Sequence, residues 1–426
     1  MTTTDPAPAP PAPAVQDPST THDVVIVGGG LVGASLAIAL EGSGLDVVLL
    51  EASAGAMPAV FDQRNLSFAE ATVNALAALG VMRHLQGAPA PIRRIHVSRA
   101  GDFGRVVLEA GAHGREAFGQ VVVARDFGHA LEARLAEMPG LRRLRPARFL
   151  RLEDGDGAAR VLWIADAQGE RTLRTRLLVG ADGAGSAVRG ALGIGIGTHD
   201  YAQTLFVARL QADRVPDGTA FERLGDDGPA ALLPRADRHY GLVLAVPRTR
   251  ADEVAAMDEA AFVQLAQRRF GWRAGRFIAC GPRTAYPAVR TVAAALVAPR
   301  AVLVGNAAQA IHPVGAQGFN LGLRDALTLA EEIRAARAAD PAADCGAAGL
   351  LARHATRRVE DRARTLAFSD GLARVTANSA PLLRPLRSLG LLATGLSASL
   401  QAGLVGGAMG YRGDVPALCR DPGVAA

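Results

Sequence analysis

The sequence predicts an α/β protein, with a Rossmann-like dinucleotide-binding domain interleaved with a mixed β-sheet domain and followed by C-terminal helices. Three observations predict it. An apolar strand runs into a Gly-x-Gly-x-x-Gly turn near the start of the chain. A second runs into Asp182-Gly183, and a third into Gly305 ahead of two more glycines. Each turn stands before a helix pattern, and short strand patterns fill the interval between the second and third.

Taken in order, residues 1–21 (MTTTDPAPAPPAPAVQDPSTT) have neither a basic n-region nor an apolar h-region and read as a disordered Pro/Ala-rich tail. The strand at 24–27 then leads into Gly28, Gly30 and Gly33, an Ala/Leu helix pattern to about Glu41, a second strand at 47–50 and Glu51. Gly28 permits the tight turn, Gly30 lets a pyrophosphate approach the backbone, and Gly33 lets helix and strand pack closely. The helix N-terminus offers unpaired N–H groups to the phosphates. Glu51 can accept hydrogen bonds from both hydroxyls of an adenosine ribose, which suits FAD or NAD rather than NADP. A lone glycine triplet would be weak evidence; strand, helix and acidic residue at the right distances make it specific.

The second turn, LLVGADGAGSAVR (177–189), places Asp182 between an apolar strand and a helix start at Ser186. Alone it would be a turn signal; in a nucleotide fold it joins the cofactor side and favours FAD. Next come strand patterns at 205–210, 230–233 and 240–246, the last two forming a hairpin bent at 234–238. This sheet is the expected substrate side, with Phe221 and Tyr286 as candidates for the pocket wall or for ordinary core. The third turn, VLVGNAAQAIHPVGAQGFNLGLRD (302–325), gathers Gly305, Gly315 and Gly318 with no charge until Arg324. The resulting division is a tail (1–21), a discontinuous FAD-binding domain (22–90, 112–196 and 283–375), a substrate-binding sheet domain (91–111 and 197–282) and a C-terminal helical segment (376–426).

Composition supports two packed domains: 426 residues, 49% hydrophobic and 20% charged. The net charge is +5, and all 46 basic residues are arginine, which excludes a lysine Schiff base and a Walker A loop. With 4% aromatic residues and scattered charge, a nucleic-acid surface is not expected. Cys280, Cys345 and Cys419 show no metal or CxxC spacing and read as free thiols of a reducing, cytoplasmic compartment. The nine histidines form no metal-ligand pair, so no metal is expected. The run Gly193-x-Gly195-x-Gly197 lacks a following helix and acidic residue, so a second dinucleotide domain is not expected.

The stretches GGGLVG…E, VGADGAGSAVR and VGNAAQAIHPVGAQGFN resemble, in order and spacing, the class A flavoprotein aromatic hydroxylases, the family of para-hydroxybenzoate hydroxylase. AFERLGDDGPAALLP, FGWRAG, RTAYPA, IHVSRAGDFGR and FDQRNLSF are similar to its ubiquinone-biosynthesis branch, most like the 2-octaprenyl-6-methoxyphenol hydroxylases, over about residues 22–375. The resemblance implies FAD, held by Gly28, Gly30, Gly33, Glu51, Asp182, Asn306, Gly315, Gly318, Phe319 and Asn320. Asn306 and Gln309 stand where most of the larger family has Asp and His. Pro313 would lie over the reactive edge of the flavin, with His312 beside it as a proton-handling candidate or a structural turn histidine. Arg64 is the flavin-side arginine, or else a surface ion pair. Arg125 is a weaker candidate, one residue later than the family's arginine, where Ala124 falls. The order Gly315-Ala316-Gln317-Gly318 departs from the family's P-x-x-G-Q-G, and alanine adopts positive φ less cheaply than glycine.

The implied reaction uses NAD(P)H as a transient co-substrate and O2 to hydroxylate the ring of a polyprenyl phenol, the flavin carrying the chemistry. Other ring positions, other aromatics, and a flavin-holding scaffold subunit without turnover remain alternative readings. A homodimer or a ubiquinone-biosynthesis complex fits the resemblance equally. The C-terminal run PLLRPLRSLGLLATGLSASLQAGLVGG reads as packed helix or as a peripheral contact with the inner face of a membrane, flanked by Arg384 and Arg387.

Overall fold

The structure, a computed structural model, describes residues 20–55, 64–153, 157–312, 314–377 and 384–420. The N-terminal tail up to residue 19, the 61–63 part of FDQRNLSF, Pro313 and the side chains of Arg384 and Arg387 lie outside the described residues.

Thr21–Val27 is the central strand of an eight-stranded sheet, parallel to Val47–Leu50 on one side and Gly169–Gly180 on the other. Ala301–Leu303 and Arg142–Leu144 extend the parallel set outward. Val24 and Ile26 pack into one apolar cluster and Val25 and Val27 into another, so both faces of the strand are covered. That is why the sequence shows an unbroken apolar run rather than alternation. Helix Leu31–Ala39 lies against this sheet and against the long helix Gly318–Ala339.

A nine-stranded sheet forms the second layer, in the order Gln309–Ala310, Thr284–Ala293, Ile196–Ala212, Tyr240–Pro247, Ala230–Pro234, Thr219–Leu224, Arg94–Arg99 and Arg105–Glu109, with Phe277–Cys280 also paired to Ile196–Ala212. The 230–234/240–247 hairpin bends at 235–239, one residue later than the 234–238 expected, because Pro234 still pairs with Tyr240. One face, carrying Phe206, Leu242 and Leu244, is covered by helix Glu259–Phe270. The other face turns Leu205, Gly241, Ala245 and Tyr286 toward the nucleotide fold, where a side chain at Gly241 would collide with Asn65. Thr284–Ala293 pairs with Ile196–Ala212 along most of its length. The return to the nucleotide fold therefore comes after Ala293 and not at 283: the alternating strand is fixed by pairing partners that local sequence does not reveal.

The C-terminal segment forms two helices, Arg384–Leu396 and Ala398–Ala408, bent by 91° at their junction. Leu391, Val405 and Met409 pack on Val106 and Leu108, covering the outer strand Arg105–Glu109, an edge that would otherwise be open to pairing with another chain. Among the described residues no single helix is long and apolar enough to cross a membrane.

Candidate cofactor cleft and active site

The glycine turn after the first strand opens onto a cavity of about 380 Å³ lined by residues 28–31, 51–53 and 181–183 together with Arg145, Arg148 and Phe149. A side chain at Gly33 would sit 1.9 Å from the Gly28 carbonyl oxygen, and one at Gly28 (φ +107°) would sit 2.5 Å from that of Ala181. At Gly30, by contrast, a Cβ would meet no protein atom within 4 Å. Two glycines thus close the turn, and the third leaves room for a ligand. The Glu51 carboxylate accepts from Gly29 N at 3.0 Å through Oε2, and from Ser53 N at 2.7 Å and Ser53 Oγ at 2.6 Å through Oε1, so it is oriented into this cleft. These residues fit the adenosine and pyrophosphate half of FAD.

Asp182 lines the same cleft, but its oxygens are engaged by Ser186 Oγ at 2.5 Å and Val188 N at 3.1 Å, which makes it a brace for the 182–188 turn. Arg189, the next residue, donates to Ala184 O at 2.8 Å and to Ala307 O at 2.9 Å. It thereby ties this turn to the Gly305–Ala307 turn, where Asn306 stands exposed at the tip and Gly305 packs on Val32. Arg145 and Arg148 were not legible as cleft residues. They reach it only because Arg142–Leu144 pairs with Val47–Leu50, bringing the following residues alongside Glu51.

The second glycine-rich turn, 314–317, leads into helix Gly318–Ala339, whose first N–H groups have no side-chain cap. Such a terminus presents donors and a positive dipole end to an anionic ring. Gly315 has φ +74°, and Ala316 has φ +50°. The departure from the family pattern therefore does not remove the left-handed turn; an alanine is held in it at a cost of about 1 kcal/mol. Asn320 does the holding. It is buried, donates to Ala316 O and Ser67 O at 2.9 Å each, and accepts from Ala69 N at 2.9 Å. Its side chain is thus a clamp inside the protein, leaving its backbone as the part available to a cofactor. Phe319 likewise packs edge-on to Phe127 at 5.3 Å between centroids.

Below this turn lies a buried charge network that no motif announced. Arg324 donates to both oxygens of Asp361 at 2.6 and 3.0 Å, and Arg358 bridges Asp325 at 2.8 Å and Asp361 at 2.7 Å. Gln309 donates to Asp325 at 2.6 Å and accepts from Arg362 at 2.8 Å, so this residue belongs to the network and not to the cofactor surface. Burial acts to raise the Asp361 carboxyl, but Arg324 and Arg358 overcome it and hold it below the usual range. Burial pushes His354, beside the network, down to about 3, with Arg358 adding to the effect.

His312 is buried, and burial lowers it to about 4, so it is neutral near pH 7; its ring meets Tyr201 edge-on at 4.9 Å. Arg64 and Tyr286, 222 residues apart, come together: Arg64 Nε donates to the Tyr286 hydroxyl at 3.1 Å and its guanidinium lies 4.2 Å from the ring centre. Arg125 stands apart from the adenosine cleft, half-exposed, on a cavity of about 450 Å³ shared with Asn65, Arg209 and Arg235. Of the two readings of Phe221, pocket wall or ordinary core, its packing favours core. Strand alternation sends its ring to the far face of the sheet, beside His96 and Tyr240, and turns Glu222 toward the nucleotide fold instead.

Residues 21–343 match the FAD binding domain family. Ubiquinone hydroxylase UbiL of Rhodospirillum rubrum is 36% identical over 372 residues, covering 87% of this chain and 85% of that protein. The 3-demethoxyubiquinol 3-hydroxylase of Escherichia coli is 30% identical over 378 residues, covering 87% and 94%. The crystal structure of p-nitrophenol 4-monooxygenase PnpA from Pseudomonas putida DLL-E4 shares the fold, with a TM-score of 0.74, 19% identity and coverage of 92% and 98%. The chain belongs to this FAD-binding family and is a flavin-dependent aromatic hydroxylase, a monooxygenase. Within that class it belongs to the ubiquinone-biosynthesis branch. FAD bound here would supply electron transfer from NAD(P)H and activation of O2; the protein's task would be to hold the ring, exclude water and orient an aromatic substrate.

Proposed function

We propose that this protein hydroxylates the ring of a polyprenyl phenol, with NAD(P)H and O2 as co-substrates. The observation that supports the reading is one sheet face with the Arg64–Tyr286 pair on one strand and, four strands away, Glu222 beside Gly315 of the 314–320 turn. In this reading the phenol lies against that face, opposite the helix N-terminus that would receive the flavin ring. The ring position is left to the product. The test is NAD(P)H oxidation by purified protein with and without a short-chain prenyl methoxyphenol. Stimulated oxidation with a product one oxygen heavier supports the reading; equally slow oxidation in both cases rejects it.

A polyprenyl substrate resides in a bilayer; Leu389, Leu392 and Leu396 form an exposed row along helix Arg384–Leu396, with Leu396 79% exposed, and Leu400 is exposed on the helix that follows. The row supports a peripheral membrane contact at the inner face. Leu392→Glu with Leu396→Glu is expected to abolish co-sedimentation with anionic liposomes while FAD stays bound. Undiminished co-sedimentation would reject the contact.

A further inference from the structure

Thr219–Leu224 carries two kinds of side chain on its two faces. Phe221 and Arg223 point toward the layer covered by helix Glu259–Phe270, where Arg223 donates to Ser98 Oγ and Arg99 O at 3.0 Å each. Ala220 and Glu222 point the other way; Ala220 packs with Ile92 and Val121 of the nucleotide-fold side. Glu222 accepts a hydrogen bond from the backbone N–H of Gly315, the residue that opens the second glycine turn. Its Oε2 is closed off from solvent and has no hydrogen-bond partner among the described residues. The cross-strand neighbours on the same face, Val97 and Ala231, are apolar.

A carboxyl with a sealed, unpartnered oxygen costs stability, and such groups persist where a ligand completes them. Here the missing partner would be an O–H or N–H entering between the sheet face and the flavin-side turn. The charged groups on surrounding elements are committed elsewhere. Arg64 is on Tyr286, Arg223 is on the opposite face, and Arg412 lies over the Phe368 ring, which itself abuts Gly315. Resting on the phenol-hydroxylase reading above, we propose that Glu222 is a catalytic residue whose Oε2 receives the proton of the substrate's ring hydroxyl. The O–H bond breaks, its electron pair stays on the ring oxygen, and the proton becomes the carboxylic acid proton of Glu222. The ring is then the electron-rich phenolate that electrophilic hydroxylation requires. Burial raises Glu222 to about 7, opposed in part by the Gly315 N–H. Against an ordinary carboxylate, this shift increases the ionised fraction of a bound phenol by roughly two orders of magnitude.

Glu222→Gln keeps the volume and an acceptor for Gly315 and removes only the ionisation. The variant is expected to fold and to bind FAD. Product formed per NAD(P)H should fall at least about tenfold, and the rise of yield through about pH 7 should disappear. Glu222→Asp should recover part of both. A second readout needs no turnover: titration of the absorbance of 4-nitrophenol bound to the oxidised holoprotein. A phenol sharing a proton with Glu222 titrates in two coupled steps in the native protein and in one in Glu222→Gln. Unchanged yield and pH profile in Glu222→Gln, or one identical step in both proteins, would overturn the assignment. Failure of the native protein to form product from prenyl phenols, with the two-step titration intact, would reject the substrate reading and leave Glu222 as a phenol base. Absence of nitrophenol binding to the native protein would count against both.

Discussion

The two glycine-rich turns, 28–33 and 314–318, are built in opposite ways. The first is closed by its own backbone: Gly28 and Gly33 touch main-chain atoms that would collide with any Cβ, and strand, turn and helix are contiguous. The second has slack. A Cβ at Gly315 would lie 3.4 Å from a Phe368 carbon, and at 316 an alanine already occupies the left-handed region. What fixes the second turn lies beneath it, in the Asn320 clamp and the buried Arg–Asp network between Gly318–Ala339 and Ala348–Ala377. The first turn is specified locally; the second is specified by contacts tens to hundreds of residues away.

The largest effect should come from filling the first turn. Gly33→Val puts carbon against the Gly28 carbonyl oxygen, and the expected outcome is insoluble or flavin-free protein, read from flavin absorbance per chain. Gly30→Ala, where no protein atom is within 4 Å, should keep its melting temperature and lose FAD affinity alone. If both variants melt like the native protein, the first turn is not closed as described. Breaking the second turn's support comes next. Asp361→Ala leaves Arg324 and Arg358 buried without their shared carboxylate, and should cost about 3–5 kcal/mol in urea unfolding.

Acid should find the second turn before the first. His312 is lowered from 6.5 to about 4 by burial. The unfolded chain therefore takes up a proton between those values and the folded chain does not. Stability is full above about pH 6.5 and declines as the pH falls toward 4, by about 3 kcal/mol for this residue. His354, lowered to about 3, extends the decline further. Urea midpoints at pH 7.5, 5.5 and 4.5 check this, and His312→Asn should flatten the upper part of the curve. The smallest effect is a gain: Ala316→Gly relieves the left-handed alanine and should stabilise by about 0.5 kcal/mol after the added chain entropy of glycine is subtracted. A loss instead would mean the alanine methyl makes a contact worth more than its strain.

The legibility of the site follows the same division. Gly28, Gly30, Gly33 and Glu51 could be placed from spacing alone because a strand–turn–helix unit is a local object. Arg145, Arg148 and Glu222 could not, since nothing near them in the chain marks them; each is brought to the site by a strand pairing with a distant partner. Phe221 was left between pocket wall and ordinary core for a reason of parity. A one-residue choice on a strand is a choice of face, and the face is set by which layer covers the sheet. Asn320 and Gln309 were legible as important and not as internal, because an amide side chain looks the same whether it meets a ligand or a buried carbonyl.

By itself the sequence determined the nucleotide-binding core: the parallel strands are apolar throughout because both faces are covered, and the glycines stand where backbone must meet backbone or ligand. It also carried the family resemblance, which rests on those same local units. Only the tertiary structure decided where the 284–293 strand pairs, which oxygens of Asp182 and Asn320 are already spent, and that six charged and polar side chains from 309 to 362 lie together under the flavin-side turn. Those outcomes depend on long-range pairing and on the satisfaction of buried polar groups, and a linear pattern of residue types encodes neither term separately.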